Sequence, residues 1–497
     1  MTDVGRVDSR AWRGNELTWF IPRNTWRKIV LVSAAIAFAA LPLYSDDSPW
    51  IGVGIFVTIA VAWHTIEARN VLPWLPGLVV LSACVQWILA PWAAYHLPLV
   101  TPSSGMAVGP AEYFSFAIAT LIALVMGVYL PTLKYGRIAV HRAQLRVDAN
   151  LRPLRLTSEV FVVVGAVASI AMVGGMVGGG LKFAVYLVSI LGFVGALGLA
   201  LLRVPGWQWR ALVPFAFVAY RAAAEGSFLE FLFWVVYFAA SVAYQYRVKM
   251  RILVPFALIG AFAVITINGY KNFYRESIRM TGADSDERAG MTADALLELV
   301  KAPGRVLSPQ SLWFSVNRLN MGWVTSRALA WTPRVEPFAN GETVATAIRA
   351  ALVPRVLDNN KYVAGGKDNT PRFTGIQLYN QTSINLGVAA EMYVNYGLQL
   401  GVFAVFVYAL LVGWIFSLFV RWSRSSQLWW AWAPYVLFST LSAEGGLGET
   451  LNQLVKSAFV MVIVIAVAPG WSRLWRELRR GRRTNTAVKF LGPQGIR

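Results

Sequence analysis

Charged residues and cysteine are both scarce in this chain of 497 residues. Only 14% of the residues are charged and 57% are hydrophobic, whereas soluble proteins carry about 25% charged residues. That composition excludes a soluble globular enzyme. It equally excludes a disordered chain, which needs few apolar residues and many charges. The single cysteine, Cys84, lies in an apolar run, and it excludes a disulfide framework and any metal site built from cysteines.

Histidines and nucleotide-binding loops are the next absences. The three histidines, His64, His96 and His141, are scattered along the chain, so we expect neither a histidine-based catalytic triad nor a histidine metal site. The sequence holds no GxxxxGK phosphate loop and no dinucleotide fingerprint after a strand. An activity driven by ATP hydrolysis is therefore not expected. We also predict that the protein uses no metal and no cofactor.

Long apolar runs dominate what is present. A helix needs roughly 20 mostly apolar residues to cross a bilayer. Twelve segments meet or approach that length: 29–44, 50–66, 71–95, 111–133, 159–177, 181–202, 207–220, 228–246, 252–269, 398–420, 428–443 and 455–471. Segment 207–220 is the least regular, because Pro214 and then Arg221 interrupt it. No signal-peptide cleavage site follows the basic start, so the first helix is expected to stay uncleaved. The sequence thus predicts an all-α polytopic membrane protein.

The net charge of +20 is explained by the orientation of these helices. Cytoplasmic segments of membrane proteins are enriched in Lys and Arg. With the N-terminus inside, the inner segments hold 28 Lys or Arg, and the short outer segments hold only Lys182, Arg221 and Lys456. The basic ends, 1–28 and 472–497, are then both cytoplasmic. Anionic lipid rather than nucleic acid is the expected partner of the basic residues, because no basic domain with interleaved aromatics lies outside the helices.

One long polar segment, 270–397, separates helices one to nine in 29–269 from helices ten to twelve in 398–471. This loop of 128 residues has mixed charge and lies outside in the same topology. Its periodicity predicts helices at 290–301, at 309–330 from Pro309 onward, at 342–352 before Pro354, and at 384–396, which runs on into helix ten. The loop is therefore expected to be helical and to stand on the outer face.

Four stretches at the predicted outer face combine arginine with carboxylates or amides. They read VAYRAAAEGS at 218–227, YKNFYRE at 270–276, ALVPRVLDNNK at 351–361 and LGVAAEMYVNYG at 386–397. A planar guanidinium binds two oxygens at once and stays charged, which suits a diphosphate. The candidate diphosphate-binding residues are Arg221, Arg275, Arg355, Lys361 and Arg372.

The same residues also have plain structural explanations. Arg221 can snorkel or pair with Glu225, and Arg275 can pair with the glutamate that follows it. Asp358 begins an Asp-Asn-Asn run that is typical of a turn. Glu391 stands where helix ten begins and can interact with the helix dipole there. The residues alone leave these alternatives open.

Two motifs in the loop carry a resemblance to a known family. The first is Val-Pro-Arg355 followed by Asp358 and Lys361, and the second is Gly387-x-x-x-Glu391-x-Tyr393-x-Asn395-x-Gly397 leading into an apolar span. Over about residues 210–415 the chain resembles the O-antigen repeat-unit polymerases (Wzy-type) of bacterial envelopes. The Arg221 segment is similar to the arginine that ends a mid-chain span in that family. Arg355 with Gly366 fits the spacing of arginine, ten residues and glycine found in some members. The chain departs from the pattern in the Asn-Asn before Lys361 and in Tyr396 before the closing glycine.

The resemblance implies a membrane glycosyltransferase of the GT-C type on the outer face of the bacterial plasma membrane. Its substrates are oligosaccharide repeat units linked to polyprenyl diphosphate. A sugar hydroxyl on one unit attacks the anomeric carbon of the growing chain, and polyprenyl diphosphate leaves. The five cations neutralise the departing diphosphate, Glu391 or Asp358 accepts or orients the hydroxyl proton, and Tyr393 and Asn395 orient the substrate. Membrane lipid, a flippase and a chain-length regulator are the implied partners.

Three other functions stay open at this point. An O-antigen ligase has a similar topology, but that family is expected to use a histidine in its large outer loop, and loop 270–397 has none. A transporter or flippase of lipid-linked glycans suits twelve spans, yet no matching halves are visible in the sequence. A non-catalytic assembly protein is the third. The resemblance favours polymerisation over all three.

Overall fold

The computed structural model describes residues 23–41, 48–68, 75–96, 105–133, 151–178, 181–225, 228–246, 248, 309–353, 366–378, 383–423, 426–443 and 445–476. All regular secondary structure within these ranges is helical. The prediction of an all-α protein is confirmed for this part of the chain.

In the first half of the chain, the described residues form ten α-helices. They are α1 (Arg23–Ala39), α2 (Trp50–Ala68), α3 (Leu75–Cys84), α4 (Ala90–His96), α5 (Pro110–Leu133), α6 (Leu151–Val173), α7 (Lys182–Ser189), α8 (Leu191–Leu201), α9 (Trp207–Glu225) and α10 (Leu229–Tyr246). A single π-helical turn, Val85–Leu89, joins α3 to α4 without a break.

Seven more α-helices follow in the part of the second half that the structure describes. They are α11 (Pro309–Leu319), α12 (Gly322–Trp331), α13 (Glu342–Leu352), α14 (Asn369–Thr374), α15 (Gly387–Ser423), α16 (Trp432–Leu437) and α17 (Leu447–Val467). Two 3₁₀ segments, Gln427–Ala431 and Phe438–Leu441, flank α16.

Within the described ranges, six stretches are long and apolar enough to cross a membrane. They are Leu75–His96, Pro110–Thr132, Arg152–Val173, Lys182–Leu201, Gly387–Ser423 and Leu447–Val467, and Trp50–Ile66 and Leu229–Ala243 are shorter apolar helices. These stretches indicate a multi-pass helical membrane protein. The ninth predicted span, 252–269, lies outside the described residues. The count of twelve spans and the cytoplasmic position of both ends stay predictions.

The outward surface of the long helices is apolar. On α6, Val163 and Val167 are exposed by 62% and 61%, and Val160 and Ile170 continue the same stripe. A spacing of three and four residues places these side chains on one helix face. A soluble protein rarely exposes an apolar stripe of this kind, and the bilayer is the solvent that accepts it.

Glycines let the central helices approach each other closely. A Cβ at Gly127 of α5 would lie 2.4 Å from the Cβ of Ala409 in α15. A Cβ at Gly413 of α15 would lie 2.4 Å from the carbonyl oxygen of Val128 in α5. Small residues at such crossings bring backbones together where the hydrophobic effect gives little drive for association. The α5–α15 pair therefore forms a tight seam at the centre of the fold.

The eleventh predicted span, 428–443, differs from a straight transmembrane helix. It consists of Gln427–Ala431, α16 and Phe438–Leu441, so it changes between 3₁₀ and α geometry twice. Trp429, Trp432 and Tyr435 are all fully buried. A segment that is apolar on every side is expected inside a bundle rather than against lipid. Hydropathy alone cannot distinguish the two environments, which explains the difference from the prediction.

The last helix also begins earlier than predicted. The apolar run suggests 455–471, but α17 covers Leu447–Val467. Glu449, Gln453 and Lys456 recur at intervals of four and three residues and share one face of its first turns. These polar residues lower the local hydropathy, so the start of the helix cannot be predicted from the apolar run.

Helices of the large loop rest on the membrane helices. Segment 309–330 forms two helices, α11 and α12, because Asn320 interrupts it and its Oδ1 accepts a hydrogen bond from the N–H of Trp323. α13 matches the predicted 342–352 and packs against α17, while α12 packs against α15. The predicted helix 290–301 lies outside the described residues. The described part of the loop therefore joins the bundle directly.

The helix predicted at 384–396 leads into span ten, but a kink separates the two instead of the continuous helix that the sequence suggested. α15 begins at Gly387, and its helical path is interrupted at Gly397, where φ is 73° and ψ is −166°. Only glycine adopts this conformation readily. A Cβ there would also lie 3.4 Å from the ring of Phe338. The kink separates a short polar-motif helix, 387–396, from the apolar span that follows.

Candidate functional site

The second motif occupies the first turns of α15, and its side chains are buried. Glu391 and Tyr393 are each 5% exposed, and Asn395 is 1% exposed. A buried polar group is costly unless it is hydrogen-bonded. The contacts of these three residues therefore show what the motif holds together.

Glu391 joins three elements. Its Oε2 accepts a 2.7 Å hydrogen bond from the backbone N–H of Leu447, the first residue of α17. The side chain of Thr343, near the start of α13, also hydrogen-bonds to this carboxyl group. The free N–H groups at a helix start are suited to an anion. The carboxylate is thus fixed between α15, α13 and α17.

Asn395 is fully engaged one turn further along α15. Its Nδ2 donates to Oγ1 of Thr343 and to the carbonyl oxygen of Glu391, each at 2.7 Å. Its Oδ1 accepts from the N–H of Gly341 at 3.0 Å. This side chain positions both the glutamate and the start of α13. The substrate-orienting role predicted for Asn395 stays a prediction.

Tyr393 holds the segment that leads from α12. Its hydroxyl donates a 2.7 Å hydrogen bond to the carbonyl oxygen of Thr332. Its ring makes edge-to-face contacts with Phe116 and Phe338, at centroid distances of 5.5 and 5.9 Å. The phenol therefore ties the loop to α5 and α15. Its predicted contact with substrate stays a prediction.

Glu391 also lines a polar cleft. The cleft is small and lies between the loop and the start of α17. Its wall consists of Gly366, Asn369, Asn385, Leu386, Glu391, Gly446, Gly448 and Glu449. Nδ2 of Asn385 donates a 3.0 Å hydrogen bond to Oε2 of Glu449. Two carboxylates and two amides therefore face one opening.

Gly366 closes one side of this cleft through its backbone. Its φ is 68°, and a Cβ there would lie 1.9 Å from the carbonyl oxygen of Ile384. The hydroxyl of Thr370 donates a 2.6 Å hydrogen bond to the same oxygen. Glycine is required at this position for a steric reason. The structure thus gives a physical reason for the glycine in the arginine-to-glycine spacing noted above.

Arg372 is bound to two carboxylates. Its Nε donates to Oε1 of Glu336 at 2.6 Å, and its Nη1 donates to Glu342 at 3.0 Å. The hydrogen bonds to Glu342 and then to Glu336 raise the pKa of this guanidinium. Its side chain is 39% exposed. A diphosphate at Arg372 would therefore share the guanidinium with these glutamates.

Arg221 of α9 forms an ion pair with a carboxylate of the next helix, α10. Its Nη2 lies 3.1 Å from Oε2 of Glu230 at the start of α10. Its guanidinium carbon also lies 5.4 Å from the ring centre of Tyr186 in α7. The two charged side chains are 17% and 20% exposed. The guanidinium is thus held by an ion pair and a cation–π contact at the end of α9.

The structure brings the predicted residues into two groups. In the first group, Arg372 contacts Glu342. Thr343, the next residue in the chain, contacts both Asn395 and Glu391. Arg221 belongs to a second group around Tyr186. The remaining predicted residues, Arg275, Arg355, Asp358 and Lys361, lie outside the described residues.

Three residues of the cleft region were not selected from the sequence: Thr343, Asn385 and Glu449. Thr343 and Asn385 gave no signal, because an isolated threonine or asparagine in a loop has no distinctive spacing. Glu449 did give one, since it begins the polar face that α17 shares with Lys456. Within the described ranges, no group of three or more His, Cys, Asp or Glu side chains is placed to hold a metal ion.

Comparison of this chain with protein-family models, with curated proteins and with solved structures gave no match.

Proposed function

We propose that the protein is a membrane glycosyltransferase that polymerises polyprenyl-diphosphate-linked oligosaccharide repeat units. The proposal places the chain in the bacterial plasma membrane, with both ends cytoplasmic, a GT-C-like fold and a site on the outer face. The product is an O-antigen, capsule or exopolysaccharide chain. A flippase that delivers the repeat units and a chain-length regulator are the proposed partners.

The cleft that contains Glu391 carries the proposal. Membrane helix α17 and the loop both contribute to it, so a lipid-linked molecule in the bilayer can present its sugar there. Its amides and carboxylates offer both donors and acceptors, which is the set that sugar hydroxyl groups require. Its buried carboxylate has a fixed position, which a proton acceptor also requires.

The proposed step is a single displacement. The hydroxyl oxygen of the acceptor sugar forms a bond to the anomeric carbon of the donor, and the bond from that carbon to the diphosphate oxygen breaks. The hydroxyl proton moves to the carboxylate of Glu391, or of Asp358, and the electron pair leaves with the diphosphate. The bond broken is already activated in the substrate, so the step needs no nucleotide.

The leaving diphosphate gains negative charge and is stabilised by fixed cations. Arg221 is suited to this role because its ion pair with Glu230 and its cation–π contact with Tyr186 fix the guanidinium at the end of α9. Arg275, Arg355 and Lys361 are proposed from the resemblance. Arg372 would bind the substrate while it shares its guanidinium with Glu336 and Glu342.

Reconstitution tests the proposal. The purified protein is placed in liposomes with lipid-linked repeat units and no nucleotide or added metal, and the products are separated on a gel. A ladder of lipid-linked oligomers that is lost in Arg355→Ala and kept in Glu159→Gln supports a polymerase. Glycan on an added lipid acceptor indicates a ligase, and substrate that crosses the bilayer unchanged indicates a transporter.

Glu159 is a suitable control position. It pairs with Arg155 and Arg210 on the half-exposed surface of α6 and α9, at 3.1 and 3.3 Å. Surface ion pairs contribute only about 0–1 kcal/mol. Its replacement therefore removes a carboxylate without disturbing the cleft.

A further inference from the structure

Three basic residues break the charge pattern of the sequence. The short outer segments of the predicted topology hold only Lys182, Arg221 and Lys456. Positive charge outside is disfavoured by the rule that orients membrane helices, and an ionisable group within a membrane helix is costly. Each of the three residues is therefore expected to have a structural or functional role that offsets this cost.

Arg221 and Lys456 come from distant parts of the chain and meet at α7, the helix that Lys182 begins. Lys182 is the first residue of this helix and lies one turn before Tyr186. The guanidinium carbon of Arg221 lies 5.4 Å from the ring centre of Tyr186. Nζ of Lys456 lies 4.7 Å from the ring centre of Phe183. Sequence distance gives no indication of this convergence.

Two aromatic rings form the floor under Arg221 and Lys456. The ring centres of Phe183 and Tyr186 lie 5.9 Å apart, with an angle of 35° between the ring planes. A cation over an aromatic face is held electrostatically, more strongly where water is excluded. The rings hold the charges in place without neutralising them.

Two carboxylates lie beside the same floor. Glu230 pairs with Arg221 at 3.1 Å and hydrogen-bonds with Tyr186, and Glu449 lies within electrostatic range of Tyr186. Among the residues that the structure describes here, two acids against three bases leave an excess of one positive charge. The remaining positive charge favours an anionic ligand at this end of the bundle.

Glu449 connects this floor to the cleft of Glu391. Glu449 lines that cleft and accepts a hydrogen bond from Asn385 there. It also lies within electrostatic range of Tyr186. The starts of α7, α10, α15 and α17 and the end of α9 therefore lie at the same end of the bundle. A lipid-linked diphosphate beside α7 would place its sugar toward the cleft.

We propose that Lys182, Arg221 and Lys456 form the subsite that binds the diphosphate of the lipid-linked substrate, with Phe183 and Tyr186 as its floor. The inference rests on the proposed function, and it adds Lys182 and Lys456 to the cations that the sequence suggested. A phosphate in the headgroup of an ordinary phospholipid has related chemistry, so the test separates the two sources.

The test measures binding rather than catalysis. The full-length protein in detergent micelles is titrated with a synthetic polyprenyl diphosphate that carries no sugar, and separately with phosphatidylglycerol, by native mass spectrometry. Lys456→Gln and Lys182→Gln are each expected to weaken diphosphate binding by about tenfold, and Lys456→Arg to keep it within about threefold. Arg155→Gln, a charge removal on α6, is the matched control and is expected to bind as the parent does.

Three results overturn the proposal. One is a parent protein that does not bind the sugar-free diphosphate. The second is unchanged binding in Lys456→Gln and Lys182→Gln, with thermal unfolding confirming that they are folded. The third is an equal loss of phosphatidylglycerol binding, which would assign the subsite to bulk lipid. Diphosphate binding that is lost in the variants, in a parent protein that makes no polymer, would retain the subsite and reject the proposed polymerase.

Discussion

The backbone N–H of Leu447 donates a 2.7 Å hydrogen bond to Oε2 of Glu391. The bond joins the first residue of α17 to the motif at the start of α15, so two parts of the chain that are distant in sequence meet at one carboxylate. A helix start stabilises an anion through its unpaired N–H groups and its dipole. The proposed proton acceptor is therefore positioned by the backbone of the last helix.

Glu391→Gln separates the chemistry of this residue from its structural role. The amide oxygen of glutamine still accepts from the N–H of Leu447, but the side chain no longer accepts a proton from a sugar hydroxyl. We expect polymerisation to fall by about 100-fold or more. Glu391→Ala leaves the N–H of Leu447 without its acceptor, and we expect it to destabilise the fold by about 1–3 kcal/mol as well. Ladder formation and thermal unfolding of both variants measure the two effects, and normal polymerisation by the glutamine variant would reject Glu391 as proton acceptor.

Asn395→Ala removes the hydrogen bonds to Thr343, Gly341 and the carbonyl of Glu391. We expect it to lower the free energy of unfolding by about 2–4 kcal/mol, because buried partners are left unsatisfied. Asn317→Ala on α11, where the side chain is half-buried, is the comparison. Thermal unfolding in detergent measures both, and equal stability of the two variants would contradict a structural role for Asn395.

Gly366→Ala tests the backbone wall of the cleft. Its φ of 68° and the predicted 1.9 Å contact with Ile384 make any side chain strained there. Gly175→Ala has a similar φ of 65° with open space, and Gly109→Ala has open space and no positive φ. We expect little change for Gly109→Ala, a loss of about 1–2 kcal/mol for Gly175→Ala, and a larger loss for Gly366→Ala. An ordering in which Gly366→Ala equals Gly175→Ala would contradict the packing against Ile384.

Arg221 and Glu230 are suited to a double-mutant cycle. Arg221→Gln alone leaves the carboxylate of Glu230, which is 20% exposed, without its ion pair, and we expect a loss of about 1–3 kcal/mol. The double variant Arg221→Gln with Glu230→Gln is expected to regain part of that stability. If Arg221 also binds the diphosphate, the double variant stays inactive although it is stable. A stable and active double variant would restrict Arg221 to a structural role.

Local patterns in the sequence account for much of the fold. Apolar runs locate α5, α6, α8 and the apolar part of α15, because lipid contact and burial both require them. The helix at Glu342–Leu352 follows from its own periodicity. Such features depend on neighbours within one or two turns, and a sequence displays those directly.

Tertiary contacts account for what the sequence did not predict. Nothing in the spacing of Glu391, Asn385 and Glu449 indicates that they line one cleft, because they meet only after α17 folds back on α15. Arg221 pairs with Glu230 of the next helix, a partner that the sequence did not suggest. The broken segment around α16 has the hydropathy of a span, and only its burial identifies it as part of the interior.

The central claim is that repeat units are joined in the cleft beside Glu391 on the outer face. Lys367 is exposed and adjoins the cleft residue Gly366, and the native cysteine, Cys84, is buried. Met176, which is 76% exposed between α6 and α7, provides a control at the same predicted face. Lys367→Cys and Met176→Cys, each with Cys84→Ser, are reconstituted and treated from outside with a bulky, membrane-impermeant maleimide.

The account predicts that both cysteines react from outside in right-side-out liposomes. Labelling is expected to stop ladder formation in the Lys367→Cys protein and to leave it unchanged in the Met176→Cys protein. Labelling of Lys367→Cys only from the inside, or full polymerisation after it is labelled, would contradict the account.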